Sequence, residues 1–148
     1  MHIAVQERAS ITILQTILDL GVRPSSVDSE GRTPLRLAVD MNQWETSKLL
    51  ADLGVDVFIV ARDGRSAAEI SLAKGDEAIR ALFTGRAINS KDSSGNTILH
   101  YAARHGNIET ISQLLSLGAF KEVKNISSES PADIAQRWKH IEAATILY

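Results

Sequence analysis

The chain has no cysteine, only three prolines, and aromatic residues at just 5% of its 148 positions. Without thiols there is no disulfide, no thiol nucleophile and no cysteine-ligated zinc. No run approaches the roughly 18 consecutive apolar residues of a membrane span, and Glu7 and Arg8 stand where a secretory signal would need an apolar core. An excess of one charge is missing as well. Lys and Arg number 16 against 18 Asp and Glu, a formal −2, which offers phosphate no net basic face. There is no glycine-rich phosphate loop, no histidine pair at metal spacing, and no Ser or Asp in an activating motif. His2, His100, His105 and His140 fall in separate contexts, and His100 and His105, five apart, do not share a helical face. These absences predict a protein that is not an enzyme, carries no cofactor or metal, binds no nucleic acid and does not insert into a membrane.

What the chain does contain is one segment, repeated. Gly31, Gly64, Gly95 and Ser128 are spaced by 33, 31 and 33 residues. Each stands three residues before Pro34, Ala67, Ile98 or Pro131 and seven before Ala38, Ser71, Ala102 or Ala135. Self-similarity at this period means a stacked array of one small helical unit. Thr33, Thr97 and Ser130 are placed to accept from an unpaired backbone N–H of a first helical turn. Pro34 and Pro131 then take the first helical position, where a missing N–H leaves nothing unsatisfied. A second helix carries Leu49-Leu50, Leu82-Phe83 or Leu114-Leu115, with Ile79 and Ile111 nearby, as the apolar mass between units. Asn42, Gly75, Gly106 and Lys139 stand at the turn between the helices, where a left-handed backbone suits glycine and asparagine and puts Lys139 in doubt.

Thr33-Pro34-Leu35-Arg36 and Thr97-Ile98-Leu99-His100, each followed by a small residue and later by a glycine before a hairpin, resemble the ankyrin repeat. Ser130-Pro131-Ala132-Asp133 resembles it in part, Ser66-Ala67-Ala68-Glu69 in outline, and His2-Ile3-Ala4 looks like the tail of the same element. The resemblance implies an all-α solenoid of helix-turn-helix units joined by β-hairpin-like loops. It would form a single domain over 1–148, with a partial N-terminal unit at 1–27 and full units at 28–60, 61–91, 92–124 and 125–148. It also implies a structural His100 bonded to the Thr97 hydroxyl. The third unit departs most: Ala67, Ala68 and Ser71 replace Pro, Leu and Ala, and its second helix is two residues shorter. It should be the weak joint of the array, and its departures are either a bend that shapes the binding surface or a unit whose neighbours have moved in to fill the space. Met1 falls in the first helix of a unit with no Ser or Thr ahead of it, which reads as a module of a longer polypeptide or an N-terminal unit reduced to a cap.

Ankyrin partners lie across hairpin tips and the exposed, concave side of the first helices, so the resemblance points to two adjacent columns. Met41, Lys74, His105 and Trp138 share one, and Arg104 and Arg137 lie in the other. Trp and Arg are enriched at binding hot spots; the other reading of Trp138 is packing against the chain end or a further segment. Trp44, in a column with Ile108 and Ile141, reads as core. Phe58, Ile59 and Val60 stand at a hairpin tip that is polar in the family. They are either an apolar contact surface or folded back onto Val27 or Ile88. Arg62 and Arg65 on the same hairpin would steer an acidic segment. The expected function is a non-catalytic protein-protein interaction module, monomeric as an isolated domain and cytoplasmic, with a secreted effector as the other setting. The alternatives are a regulatory or targeting segment of a larger enzyme, channel or effector, and a self-assembling spacer.

Overall fold

A computed structural model describes residues 1–148. The chain forms ten α-helices and one 3-10 turn, with no strand. They follow one another as five pairs: α1 (His2–Gln6) and α2 (Ile11–Asp19), α3 (Pro34–Asp40) and α4 (Trp44–Asp52), α5 (Ala67–Lys74) and α6 (Asp76–Leu82), α7 (Ile98–His105) and α8 (Ile108–Ser116), α9 (Pro131–Arg137) and α10 (Ile141–Leu147). Two compact units result, Met1–Ala87 with α1 to α6 and Ile88–Tyr148 with α7 to α10. No helix is long and apolar enough to cross a membrane.

The helix starts follow from the capping residues. Thr33 Oγ1 accepts the Arg36 N–H at 3.1 Å, Ser66 Oγ that of Glu69 at 3.2 Å and Ser130 Oγ that of Asp133 at 3.2 Å. The Glu69 and Asp133 carboxylates in turn accept the Ser66 and Ser130 N–H groups at 3.0 and 2.8 Å, so two otherwise unpaired donors are satisfied reciprocally. At the turns between helices Asn42, Gly106 and Lys139 are left-handed, with φ of 57°, 70° and 63°. Lys139 therefore keeps the geometry that its side chain disfavours. Gly75 does something else: φ 94° with ψ −153° lies in a region open almost only to glycine.

The residues that set the period sit at the finger tips. Each finger closes a five-residue turn, with Asp28 N donating to Arg32 O, Ala61 N to Arg65 O, Asp92 N to Asn96 O and Asn125 N to Glu129 O. The fourth residue has positive φ in every one: Gly31, Gly64, Gly95 and Ser128. Gly95 is also closely overlaid. A Cβ there would stand 3.1 Å from Ile126 N and 3.2 Å from Asn125 Cα, because Ile126 N donates to Ser94 O at 2.9 Å.

Stacking places first helices on first helices, α1 on α3, α3 on α5 and α7 on α9, and second helices on second helices, α4 on α6 and α8 on α10. Ala38, Ser71, Ala102 and Ala135 permit the close approach, none of them more than 1% exposed. Leu14, Leu35, Leu50, Ile79 and Leu82 fill the first unit, and Ile98, Leu99, Ile111 and Leu114 the second; full burial of such a side chain contributes about 1.5–3 kcal/mol.

The third repeat keeps this packing with altered parts. Its α6 has seven residues where α4 and α8 have nine, as the early Gly85 predicts. Ala67 and Ala68 are buried, and Ala68 N donates to Val57 O at 2.9 Å, which fastens the preceding finger to the first turn of α5. Asp56 Oδ1 curls that segment by accepting the Phe58 N–H at 2.8 Å. Phe58 is consequently 7% exposed, not part of an exposed tip. Val57 and Phe83 are likewise buried in this unit. Ile59 is half-buried, and of the three apolar tip residues only Val60 is fully in the open.

Candidate partner-binding groove

In two repeats the fourth residue of the motif, His100 or Arg36, ties its helix to the next finger. His100 is buried. Its Nδ1 accepts the Thr97 N–H at 3.0 Å and lies 2.9 Å from the Thr97 hydroxyl, which leaves Nε2–H to donate to Glu129 O at 3.2 Å in the next finger. Burial pushes its pKa below 6.5, with the partial opposition of the Glu129 carbonyl, so this tautomer is neutral. His2 Nε2 makes the same reach to Arg32 O at 2.8 Å. These are structural histidines.

Arg36 performs that task with a charge. Its buried guanidinium donates to Arg65 O, to Asp63 Oδ2 at 2.6 Å and to Asp40 Oδ1 at 3.2 Å. Burial works against its charge, but the hydrogen bonds it donates to both carboxylates outweigh this and raise its pKa. In return Arg36, helped by the Arg65 N–H, holds Asp63 far below the usual carboxylate range. The sequence signal of this cluster is an arginine in the motif position that histidine holds in the fourth repeat. An open hollow of about 360 Å³ lies above it, and Glu30, Asp40 and Asp63 there face Arg32, Arg36 and Arg65. Charge is balanced within that hollow.

The second unit has a different groove, of about 440 Å³, running between α7 and α9 to the 125–129 finger. Tyr101, Arg104, Ile134 and Trp138 line its helical side, and Asn96 and Ile126 its finger side. Most polar groups in it already have partners. Tyr101 OH donates to Asp92 Oδ2 at 2.6 Å, Asn125 Nδ2 to Asn96 Oδ1 at 2.9 Å, and Arg137 pairs with Glu129 at 2.8 Å. Arg104 is the exception. Its guanidinium carbon stands 5.2 Å from the centroid of the Trp138 ring, a cation–π distance, and no carboxylate pairs with it. Its backbone is anchored by His140, whose Nε2 reaches Arg104 O at 3.1 Å. Trp138 is 48% exposed, its indole N–H has no protein acceptor, and Ile126 is 76% exposed.

Of the residues singled out in the sequence, the structure brings Arg104, Arg137 and Trp138 together in this groove. Ile126 was missed, though an isoleucine at a finger tip was visible. His105 ends α7 in solvent. In the first unit Met41 is half-buried, and Lys74 Nζ is held by Asn42 Oδ1 at 2.6 Å and Asp40 O at 3.3 Å. Arg62 is exposed, as is Arg65, which also lies 3.5 Å from Asp63. Trp44 is not core: it is half-buried at the first position of α4, with its indole N–H on Glu77 at 2.9 Å. Ile141 in the same column is 67% exposed. The buried face of α4 begins two residues further on, with Thr46 and Ser47, and continues with Leu50 and Ala51.

The profile of the family described as Ankyrin repeats (3 copies) matches residues 1–92 and 67–148. The chain belongs to the ankyrin-repeat family. Ankyrin repeats are protein-interaction modules and are generally non-catalytic. Similar ankyrin regions occur in the human transient receptor potential cation channel subfamily A member 1, 27% identical over 95% of this chain and 14% of that protein. Human SH3 and multiple ankyrin repeat domains protein 2 is 31% identical over 91% of this chain and 7% of its own length. A potassium channel of Arabidopsis thaliana is 25% identical over 98% and 18%. The chain thus spans less than a fifth of each of these relatives.

Proposed function

We propose that this ankyrin chain is a non-catalytic module that holds a protein partner in the groove of its second unit, with Trp138 and Arg104 as anchors and Ile126 and Arg137 beside them. The observation that carries this reading is the solvent-facing Arg104–Trp138 pair in a groove most of whose other polar groups are satisfied. A half-exposed indole under an unpaired guanidinium contributes nothing to the fold that a smaller pair would not, and both residue types dominate measured interface energies. Met41, Lys74, His105, Val60, Arg62 and Arg65 are secondary contacts at most, and Ile59 is largely withdrawn. Co-purification from a native extract, quantified with the isolated partner, tests it. Trp138→Ala and Arg104→Ala each weaken the complex at least about tenfold without lowering the unfolding midpoint. A partner that binds both variants like the parent removes the groove from consideration.

A second reading is that the groove takes a segment of a larger polypeptide that includes these repeats. It is favoured by the two channel relatives, of which the matching region is a small fraction. Photo-crosslinking from position 138 separates the two by the mass of the product.

A further inference from the structure

Resting on the groove reading above, we infer that the occupant is an extended protein segment that places an Asp or Glu carboxylate on Arg104 and an apolar side chain against Trp138 and Ile126. Three features lead there. First, the N–H groups left over in the groove want an acceptor: the Arg104 guanidinium and the Trp138 indole N–H have none, while the Tyr101 hydroxyl, the Asn96 amide oxygen and the Glu129 carboxylate are already engaged, and the Ser94 and Ser127 hydroxyls can donate as well as accept. Unpaired N–H donors select an acceptor, and a planar guanidinium matches a carboxylate bidentately. Second, the charge is uneven. In the lining Arg104 and Arg137 face only Glu129, and His100 is neutral, so the surface of the groove carries a net positive charge, with Asp92 behind it taken up by Tyr101 and Asn96; the charge-balanced hollow of the first unit does not. Third, the apolar surface is adjacent: Ile126 and Trp138 line the same groove and are 76% and 48% exposed. The Trp138 ring holds the guanidinium from one side and leaves its edge for the carboxylate, while covering by an apolar side chain would lower the local dielectric and strengthen the ion pair.

The test is a random-sequence peptide library displayed on phage, selected on the full chain and depleted on the Trp138→Ala chain. Enriched sequences carry an acidic residue next to or two positions from an apolar one. In synthetic copies, Glu→Gln or Asp→Asn weakens binding by about tenfold or more, and the loss shrinks as salt is added. Arg104→Met, which keeps an apolar stem on the ring, abolishes the difference between the acidic and amide peptides, and Arg104→Lys restores part of it. Groove-dependent peptides that lack an acid, or an acid preference that survives in Arg104→Met, would overturn this inference and leave the groove reading intact. Tighter binding of a phosphoserine copy would assign the site to phosphate and overturn it as well. No enrichment over the depleted pool would overturn both.

Discussion

Arg36 and His100 occupy the same motif position in the two compact units and reach the same kind of target, the carbonyl that ends a finger 29 residues later. The histidine does so neutral, buried and alone. The arginine does so charged, and recruits Asp40 and Asp63 to balance it. The difference teaches that a conserved mechanical task leaves the local charge free to vary, and that this choice decides what the neighbouring surface can bind. In the first unit the three acidic and three basic side chains of the hollow balance; in the second the fixed residue is neutral, and Arg104 remains available.

Removing the clamp should show the largest effect. Arg36→Ala leaves the Arg65 carbonyl without its charged donor and costs up to about 3 kcal/mol, the upper end for a hydrogen bond to a charged group, while the partly exposed Asp40 and Asp63 turn to water; denaturant unfolding reads the loss. Arg36→His costs less, because His2 and His100 already make this reach. An unfolding midpoint equal for the two variants would mean that the carbonyl bond contributes nothing and only the ion pair matters.

The third repeat sharpens the comparison next. With Phe58 and Phe83 buried beside an α5 whose Ala68 has no exposed surface, Ala68→Leu overpacks the first unit and lowers stability by roughly 2 kcal/mol. A rise in midpoint would instead reveal an unfilled space.

A smaller effect separates the units by pH. The pKa of His100 is lowered by folding, so the unfolded chain binds the proton first. Its stabilisation is complete above 6.5, the ordinary histidine value, and is lost as pH falls below it, by at most about 1.4 kcal/mol per pH unit. Asp63, also lowered, keeps its contribution until pH drops below 3.8, the ordinary carboxylate value. Amide-exchange protection, corrected for the intrinsic slowing of exchange at lower pH, should therefore fall more in 88–148 than in 1–87 between pH 7 and 5, and His100→Gln should remove the difference. The same pH response in parent and variant would contradict a neutral, buried His100.

How much of this was legible in the sequence depended on range. The period, the capping Thr and Ser, the first-position prolines and the shortened α6 follow from neighbours within one turn or one repeat. The exposure of Trp138 followed from its column. Phe58 did not, since its burial depends on a bond between Val57 and Ala68 and on the small side chains of another helix. Trp44 misled because apolar residues in one column suggested core, whereas a helix's first position lies at the rim of its buried face. The Arg36 cluster joins residues 27 and 29 apart, and no local pattern announces which acid an arginine will reach.

Iodide quenching of Trp44→Phe and Trp138→Phe, each leaving one tryptophan, tests most directly whether an uncommitted cation faces solvent in the second unit. The anion is drawn to Trp138 by Arg104 and repelled from Trp44 by Glu77, which holds its indole N–H. Trp138 should be quenched several-fold more efficiently than Trp44 at low salt, and Arg104→Met should reduce that advantage while quenching by neutral acrylamide changes little. Equal iodide quenching of the two tryptophans, or quenching of Trp138 indifferent to Arg104→Met, would contradict the open Arg104–Trp138 pair.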